Sequence, residues 1–325
     1  MFLRGGGDGG KLVLMNSLRV RIVWVLLAGW LAGSVLAAES EAWKAGTARA
    51  NITPTQPLWM AGYGARTRPA EGKEMDLWIK VLALEDARGH RAVILSGDLL
   101  GFTQSIHQRT CAALKQRFAL EPDQVLLAPS HTHSGPVLSG ALYDIYPLDQ
   151  AQMELIGKYS ADLEAKMVET VGKAITDLAP ARLTARQGTA GFSVNRRNNP
   201  EPDVPRRIAA GTLKGPVDHA VPVLVVYVPD GSLKAVLFGY ACHNTVMDYY
   251  RWSGDYAGFA QRAIEKSHPE ATAMFFIGCG ADQNALPRRR LELAERYGNM
   301  LAAAVEEALL APPRTLAPED RKSVV

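Results

Sequence analysis

The chain has 325 residues, 47% hydrophobic and 21% charged, which suits one large domain or two ordinary ones and a substantial core. Its formal charge of +3 lies in residues 1–37, where Arg4, Lys11, Arg19 and Arg21 outweigh Asp8, and the remainder balances. No basic tract survives beyond that segment, which argues against nucleic acid as a partner.

In chain order, Arg19 and Arg21 precede an apolar run over 22–36, and Val35-Leu36-Ala37 closes it in the manner of a signal-peptidase site. The run is short for a membrane span and polar residues follow it. Residues 1–37 are therefore read as a cleaved export signal, starting at Met1 or Met15, which predicts a secreted or periplasmic protein beginning near Ala38. Three cysteines, Cys111, Cys242 and Cys279, form no disulfide framework. Cys242 and Cys279 sit where strands meet a site and could pair or ligate, with small core residues as the plainer reading.

Residues 44–53 read as an edge strand stopped by Pro54, and the Gly- and aromatic-rich stretch 58–68 as a loop packed near something. A hairpin is expected over 78–85 and 91–96. A helix over 103–120 carries Ile106, Thr110, Leu114 and Phe118 at helical spacing, and a strand at 125–128 leads to His131. The longest helix, 153–178, keeps Ile156, Leu163, Met167 and Val171 on one face. An extended segment over 181–194 gives way to a four-proline irregular loop over 195–217. A second hairpin, 221–228 and 233–241, ends at His243. Ser253, Gly254 and Asp255 open and cap a helix running to about His268. A buried strand at 273–277 and a helix over 289–310 complete the domain, leaving 312–325 as an unanchored tail. The class is α/β: a mixed β-sheet flanked by helices, one domain over 38–311, with a metal site at the strand ends.

Four apolar strands end in polar residues: Gly97-Asp98, His131-Thr132-His133, His243-Asn244 and Asp282-Gln283-Asn284. Ligands in open α/β sheets sit beyond such carboxyl ends, so the four are expected to converge. His131 and His133, at i and i+2 on an extended segment, should share a face. Imidazoles with carboxylate support suit Zn²⁺, which lowers the pKa of a bound water to about 7. Asp98 and Asp255 are candidates for orienting the ligand histidines, with a turn or N-cap role as the alternative. His219 is a weaker further candidate, and His90 and His107 read as surface residues. No serine sits in a Gly-x-Ser-x-Gly elbow, so a standard hydrolase triad has no support.

At these residues the chain resembles the neutral/alkaline non-lysosomal ceramidase family, through that family's amino-terminal catalytic domain. The likeness runs from about Ala45 to Leu310. It covers Ala48-Arg49-Ala50-Asn51-Ile52-Thr53-Pro54, Met60-Ala61-Gly62-Tyr63, Ser96-Gly97-Asp98 and His131-Thr132-His133-Ser134-Gly135-Pro136. It continues through Asn195-Arg196, Cys242-His243-Asn244-Thr245 and Ser253-Gly254-Asp255-Tyr256-Ala257-Gly258. The resemblance implies a zinc amidohydrolase cleaving an N-acyl bond. His131 and His243 correspond to the family's zinc-binding histidines, His133 to a residue near the substrate's polar head, and Asn195 and Arg196 to a substrate-side motif. Two departures accompany it. Asp282 stands where the family has a serine treated as catalytic, and the family's remaining ligands, a Glu and a Tyr, would lie beyond Val325. The domain is accordingly expected to be incomplete at its carboxyl end.

The sequence thus predicts a zinc-dependent hydrolase of an amide in a small or lipid-like N-acyl substrate, acting by metal-activated water. Its catalytic candidates are His133, Asp255 and Asp282, its substrate-binding candidates Asn195 and Arg196, and its metal candidates His131 and His243. Peripheral contact with a membrane is left open. The alternatives are an exported binding protein that keeps the pocket without turnover, and a hydrolase of an unrelated amide or ester.

Overall fold

The computed structural model describes residues 43–318; the export signal expected over 1–37 and residues 319–325 lie outside the described residues. The first part of the chain forms β1 (Trp43–Asn51), a short β2 (Gly72–Lys73), the hairpin β3 (Trp78–Glu85) and β4 (Arg91–Gly97), helix α1 (Gln104–Phe118), β5 (Val125–Pro129) and helix α2 (Gln150–Thr176). The second part forms β6 (Ala179–Thr189), β7 (Ser193–Asn195), the short α3 (Val204–Ala209), the hairpin β8 (Ala220–Tyr227) and β9 (Leu233–Tyr240), and β10 (Arg251–Trp252). It ends with α4 (Asp255–Ser267), β11 (Thr272–Ile277), β12 (Gln283–Ala285), α5 (Leu291–Leu310) and β13 (Arg314–Thr315).

Nine strands make one mixed sheet in the order β11-β9-β8-β6-β1-β3-β4-β5, with β13 added beside β6. Period-two alternation decides the layering. On β3, Ile79 and Val81 face α1 and α2 with Ile106, Leu114, Leu163 and Met167, while Leu82 points the other way. On β9, Val236 and Phe238 face α4 and α5 with Ile264, Leu301 and Val305, while Ala235 and Leu237 point away. The inward residues of both parts, among them Ala45, Leu82, Leu183, Val226, Leu237 and Met274, share a third core. The sheet is therefore curled on itself, with helices outside and strands facing strands within. Lys80 crosses that gap: its buried Nζ donates to the Ala273 carbonyl at 2.8 Å and pairs with Glu265 at 2.6 Å.

The curl puts two parallel pairs at one end. β4 runs parallel to β5, and β9 runs parallel to β11, each as its part's outermost pair. Parallel neighbours present their carboxyl ends together, so loops after all four strands are free to meet.

Three expectations are corrected. β1 is an interior strand, paired along its length with β3 and through Trp43–Ala45 with β6, because it is the link between the two parts of the sheet. The stretch 312–318 is anchored: β13 pairs with β6, Leu316 packs into the inner core, and the Trp43 indole donates to the Leu316 carbonyl at 3.0 Å. The loop over 195–217 contains α3, begun by Pro205 in the first turn, where a missing N–H costs nothing.

Candidate metal and substrate site

His131 and His133 follow β5, and His243 follows β9. One ring nitrogen from each lies within 4.8 Å of the others. The pleat is not what brings His131 and His133 together. β5 ends at Pro129, and His131 adopts a left-handed backbone with φ 57°. That kink turns its ring back toward His133, so the two Nε2 atoms stand 3.5 Å apart. A left-handed non-glycine residue stores strain that the surroundings must hold, as is common at functional sites.

The three rings are held differently. His131 Nδ1 donates to the Leu100 carbonyl at 2.8 Å, and His243 Nδ1 donates to the Gly280 carbonyl at 2.8 Å. Carbonyls only accept, so each proton sits on Nδ1 and each Nε2 lone pair faces inward. This is how a metal-binding imidazole is normally fixed. His133 Nδ1 is buried and has no partner among the described residues. Two nitrogens on a tetrahedral zinc, at bonds of about 2.0–2.1 Å, lie about 3.3–3.4 Å apart. The 3.5 Å spacing is that of His131 and His133, and the inward lone pairs are those of His131 and His243. The trio, with ring nitrogens within 4.8 Å of one another, suits such an ion. Burial lowers the pKa of His243. Burial, then its imidazole neighbours and Arg66 and Arg196, lowers that of His133 to about 3. Both rings are neutral at ordinary pH, the state that binds metal.

The loop 58–68 forms the back wall. Tyr63 meets the His133 ring edge-on at 4.9 Å and donates its hydroxyl to the Thr245 and Met247 carbonyls at 3.1 and 3.0 Å. Arg66 is 4% exposed yet has no carboxylate partner among the described residues. Its Nη1 donates to His133 O at 2.8 Å and Ala61 O at 3.2 Å, and its Nη2 to Tyr249 O at 3.2 Å. Its guanidinium also lies over the rings of Tyr63 and Tyr250. It staples three loops behind the histidines, and only the aromatic and glycine-rich setting of residues 58–68 hinted at it.

Asp98 and Asp255 do not orient the histidines, since backbone carbonyls already do. Asp98 Oδ2 accepts from Trp78 N at 3.0 Å, and Gln261 reaches Oδ1 at 3.4 Å. Asp255 is fully buried at φ 55°, its Oδ2 accepting from Met247 N and its Oδ1 from Tyr256 N, both at 2.7 Å. Its carboxylate clasps the loop after His243. Gly254 is the N-cap of α4 and supplies no side chain, while Ser253 Oγ accepts from Asp255 N at 3.0 Å. His219 sits apart, against Ser193 O at 3.2 Å. All three cysteines are free: Cys111 and Cys242 are buried and Cys279 is exposed.

Asp282 and the Asn195-Arg196 pair form an adjoining wall. β12 pairs with β7 on one side, setting Gln283 opposite Asn195, and bridges His243 through Asn284 on the other. Asn195 Nδ2 donates to Asp282 Oδ2 at 3.1 Å, Arg196 N to Asp282 O at 2.8 Å, and Arg196 Nε to Ala281 O at 3.1 Å. The turn that supplies Gly280 to His243 thus also carries Asp282. Arg197 and Arg288 lie near enough to Arg196 to depress its pKa, after burial. The wall is cationic.

A profile of the family described as neutral/alkaline non-lysosomal ceramidase, N-terminal, matches residues 43–285. The neutral ceramidase of Pseudomonas aeruginosa is 26% identical over 248 residues, 74% of this chain and 36% of that protein. Neutral ceramidase A of Dictyostelium discoideum is 27% identical over 245 residues, 70% of this chain and 32% of that protein. The crystal structure of the Pseudomonas aeruginosa neutral ceramidase shares the fold, with a TM-score of 0.68 at 22% identity, covering 83% of this chain and 45% of that one. The chain spans about a third of the length of these two relatives.

Proposed function

The chain belongs to the neutral/alkaline non-lysosomal ceramidase family, and from that premise we propose that it is a zinc-dependent hydrolase of the amide bond in an N-acylated, lipid-like substrate. The observation that carries this reading is the trio of histidines, whose ring nitrogens lie within 4.8 Å of one another, with two imidazoles held by carbonyls at Nδ1 so that Nε2 is left for an ion.

His131 and His243 would hold the ion. When bound, zinc supplies Lewis acidity and brings the pKa of a water at the site down to about 7. The chain's own residues do the rest. Asp282 takes a proton from the attacking water at Oδ1, its Oδ2 being engaged by Asn195. It returns that proton to the amide nitrogen as the C–N bond breaks, so that the acyl group leaves as a fatty acid and the nitrogen as an amine. His133, held neutral, offers a ring nitrogen to the substrate's polar head. Arg196 and Asn195 line the side on which the acyl carbonyl or its neighbouring polar group rests. An aspartate at 282 favours direct attack by water over an acyl-enzyme, because it does not supply the serine hydroxyl that an acyl-enzyme needs. Export over residues 1–37 would place the activity outside the cytoplasm.

The test is the purified full chain, assayed for zinc by atomic emission and for fatty acid released from a ceramide and from an N-acyl amino acid. Release should stop with a chelator and return with added zinc. Zinc-loaded protein that binds these amides without turnover would overturn the enzyme reading in favour of a binding protein.

A further inference from the structure

The segment from Arg196 to Val217 lies beside the site, and most of it has no part in the roles above. It is firmly tethered. Val204 is fully buried against Val194 and Leu286. Asn199 Nδ2 donates to Asn195 O at 2.8 Å and Lys214 O at 2.7 Å, and its Oδ1 accepts from Lys214 N at 3.0 Å. Asn195 Nδ2 donates to Pro216 O at 2.9 Å. Despite this fixed backbone, residues 208–218 are all exposed, including Ile208 at 48%, Leu213 at 42% and Val217 at 40%. Three of the eight large hydrophobic side chains that stand exposed among the described residues fall in these eleven positions. Scattered exposed apolar residues need no explanation, but a cluster on an ordered loop does.

The charge of the segment is equally uneven. Arg196, Arg197, Arg206, Arg207 and Lys214 face only Glu201 and Asp203. Glu201 is taken by Arg288 and Arg289 at 2.9 Å each, and Asp203 by Arg206 and Arg207 at 3.4 and 3.8 Å. Arg196, Arg197 and Lys214 have no ion-pair partner among the described residues. Taken together, the rest of the chain beyond residue 37 is net acidic.

We propose that residues 196–217 are a docking flap for an anionic lipid surface, with Ile208, Leu213 and Val217 entering the interface and Arg197 and Lys214 on its phosphate or carboxylate head groups. Two features favour a lipid surface over a protein. The segment has no Trp or Tyr, the aromatic residues that most often anchor protein interfaces. Its mix of aliphatic tips and basic side chains suits shallow insertion under electrostatic attraction. Its base is the Asn195–Asp282 hydrogen bond, so docking would set the site against the layer that holds an N-acyl lipid, and in that respect the inference rests on the proposed function.

The test uses the full chain without substrate or added zinc, so its failure is separable from failure of the hydrolase reading. Protein is sedimented with vesicles of phosphatidylcholine alone, and of phosphatidylcholine and phosphatidylglycerol in equal parts. Binding is expected to the mixed vesicles, weakening as salt rises. Lys214→Glu should lower it at least five-fold, since each basic residue near an anionic surface contributes about that factor. Ile208→Asp with Leu213→Asp should lower it further while leaving the melting temperature unchanged, because both side chains are exposed. Equal binding to both vesicle types, no binding at all, or variants that bind like the wild type would overturn the proposal. So would wild-type self-association in the ultracentrifuge that Leu213→Asp abolishes, which would make the flap a protein interface.

Discussion

A Cβ placed on Gly62 would stand 2.4 Å from Cγ and Nδ1 of the His133 ring. Gly62 also has φ +107°, a conformation that other residues rarely adopt. The missing side chain is thus part of the seat in which the imidazole lies. Gly62→Ala should displace the ring from His131 Nε2 and lower turnover at least ten-fold, at a folding cost on the order of 1–3 kcal/mol. Zinc content should change less, because His131 and His243 keep their carbonyl partners. Turnover, metal content and melting temperature measured on one preparation check this; unchanged turnover would show that the position of His133 is immaterial.

Metal affinity should separate the three histidines. His131→Ala and His243→Ala each remove a ring whose lone pair is already aimed, and both should weaken zinc binding more than 100-fold, beyond the 10–100-fold typical of losing a supporting partner. His133→Ala should weaken it less, since nothing fixes that ring's Nδ1. Competition against a fluorescent zinc chelator gives all three values. Equal losses at the three positions would instead make His133 a full ligand.

The strands around this site were legible because apolar runs end in polar residues. β3, β4, β5, β8, β9 and β11 fall within one or two residues of their expected bounds. What fixes the rings was not legible. Leu100 and Gly280 act through backbone carbonyls, which leave no mark on residue type, and the kink at His131 depends on how β5 meets its neighbours. The interior place of β1 was hidden for a similar reason: its pairing with β6 depends on a crossover far along the chain. Leu316 looked like part of a tail because a single apolar residue among prolines and charges has no periodicity to read.

Arg66 should prove a determinant of stability despite the burial of an unpaired cation. Arg66→Met relieves the desolvation that lowers its pKa, but strips donors from three carbonyls and removes stacking on Tyr63 and Tyr250. Guanidinium is weakly hydrated and here lies on aromatic faces, so the lost donors should dominate, at a cost on the order of 3 kcal/mol. Arg66→Lys should recover only part, as an ammonium cannot span the same carbonyls. Chemical denaturation decides it; an Arg66→Met protein as stable as the wild type would show that the staple is dispensable.

Asp255 sets a pH dependence of known sign. Burial pushes its carboxyl up to about 6, against an unfolded value of about 3.9. The folded chain therefore holds this proton more tightly than the unfolded chain. Its contribution to stability is full below about pH 4 and is lost as pH rises through 6. Asp255→Asn cannot titrate, so wild-type stability minus variant stability should fall across that window by on the order of 2–3 kcal/mol. The difference matters because Asp76 and Glu85, whose pKa values are lowered, shift the total in the opposite direction. A flat difference between pH 4 and 7 would mean that Asp255 is ionised throughout.

Asp282 is where the chain and the resembled family part, and its surroundings make the consequence testable. Its Oδ2 is held by Asn195 Nδ2 at 3.1 Å, and its main chain accepts from Arg196 N at 2.8 Å, so the carboxylate is oriented on the same turn that fixes His243. A carboxylate engaged only in the backbone amides of its own Gly-rich turn would be a structural residue. Here its one side-chain hydrogen bond among the described residues goes to a separate strand that forms the substrate wall. Asp282→Asn keeps the size and can keep the contact to Asn195 through its amide oxygen, but it cannot take a proton. Turnover should drop by roughly the 10²–10⁴-fold of a lost general base, with KM and zinc content little changed. Serine-directed phosphonates should fail to label the wild type, because water and not a serine attacks. The pairing of the two results carries the argument. Full activity in Asp282→Asn would reduce the residue to a support for Asn195, and a labelled serine would replace direct water attack with an acyl-enzyme.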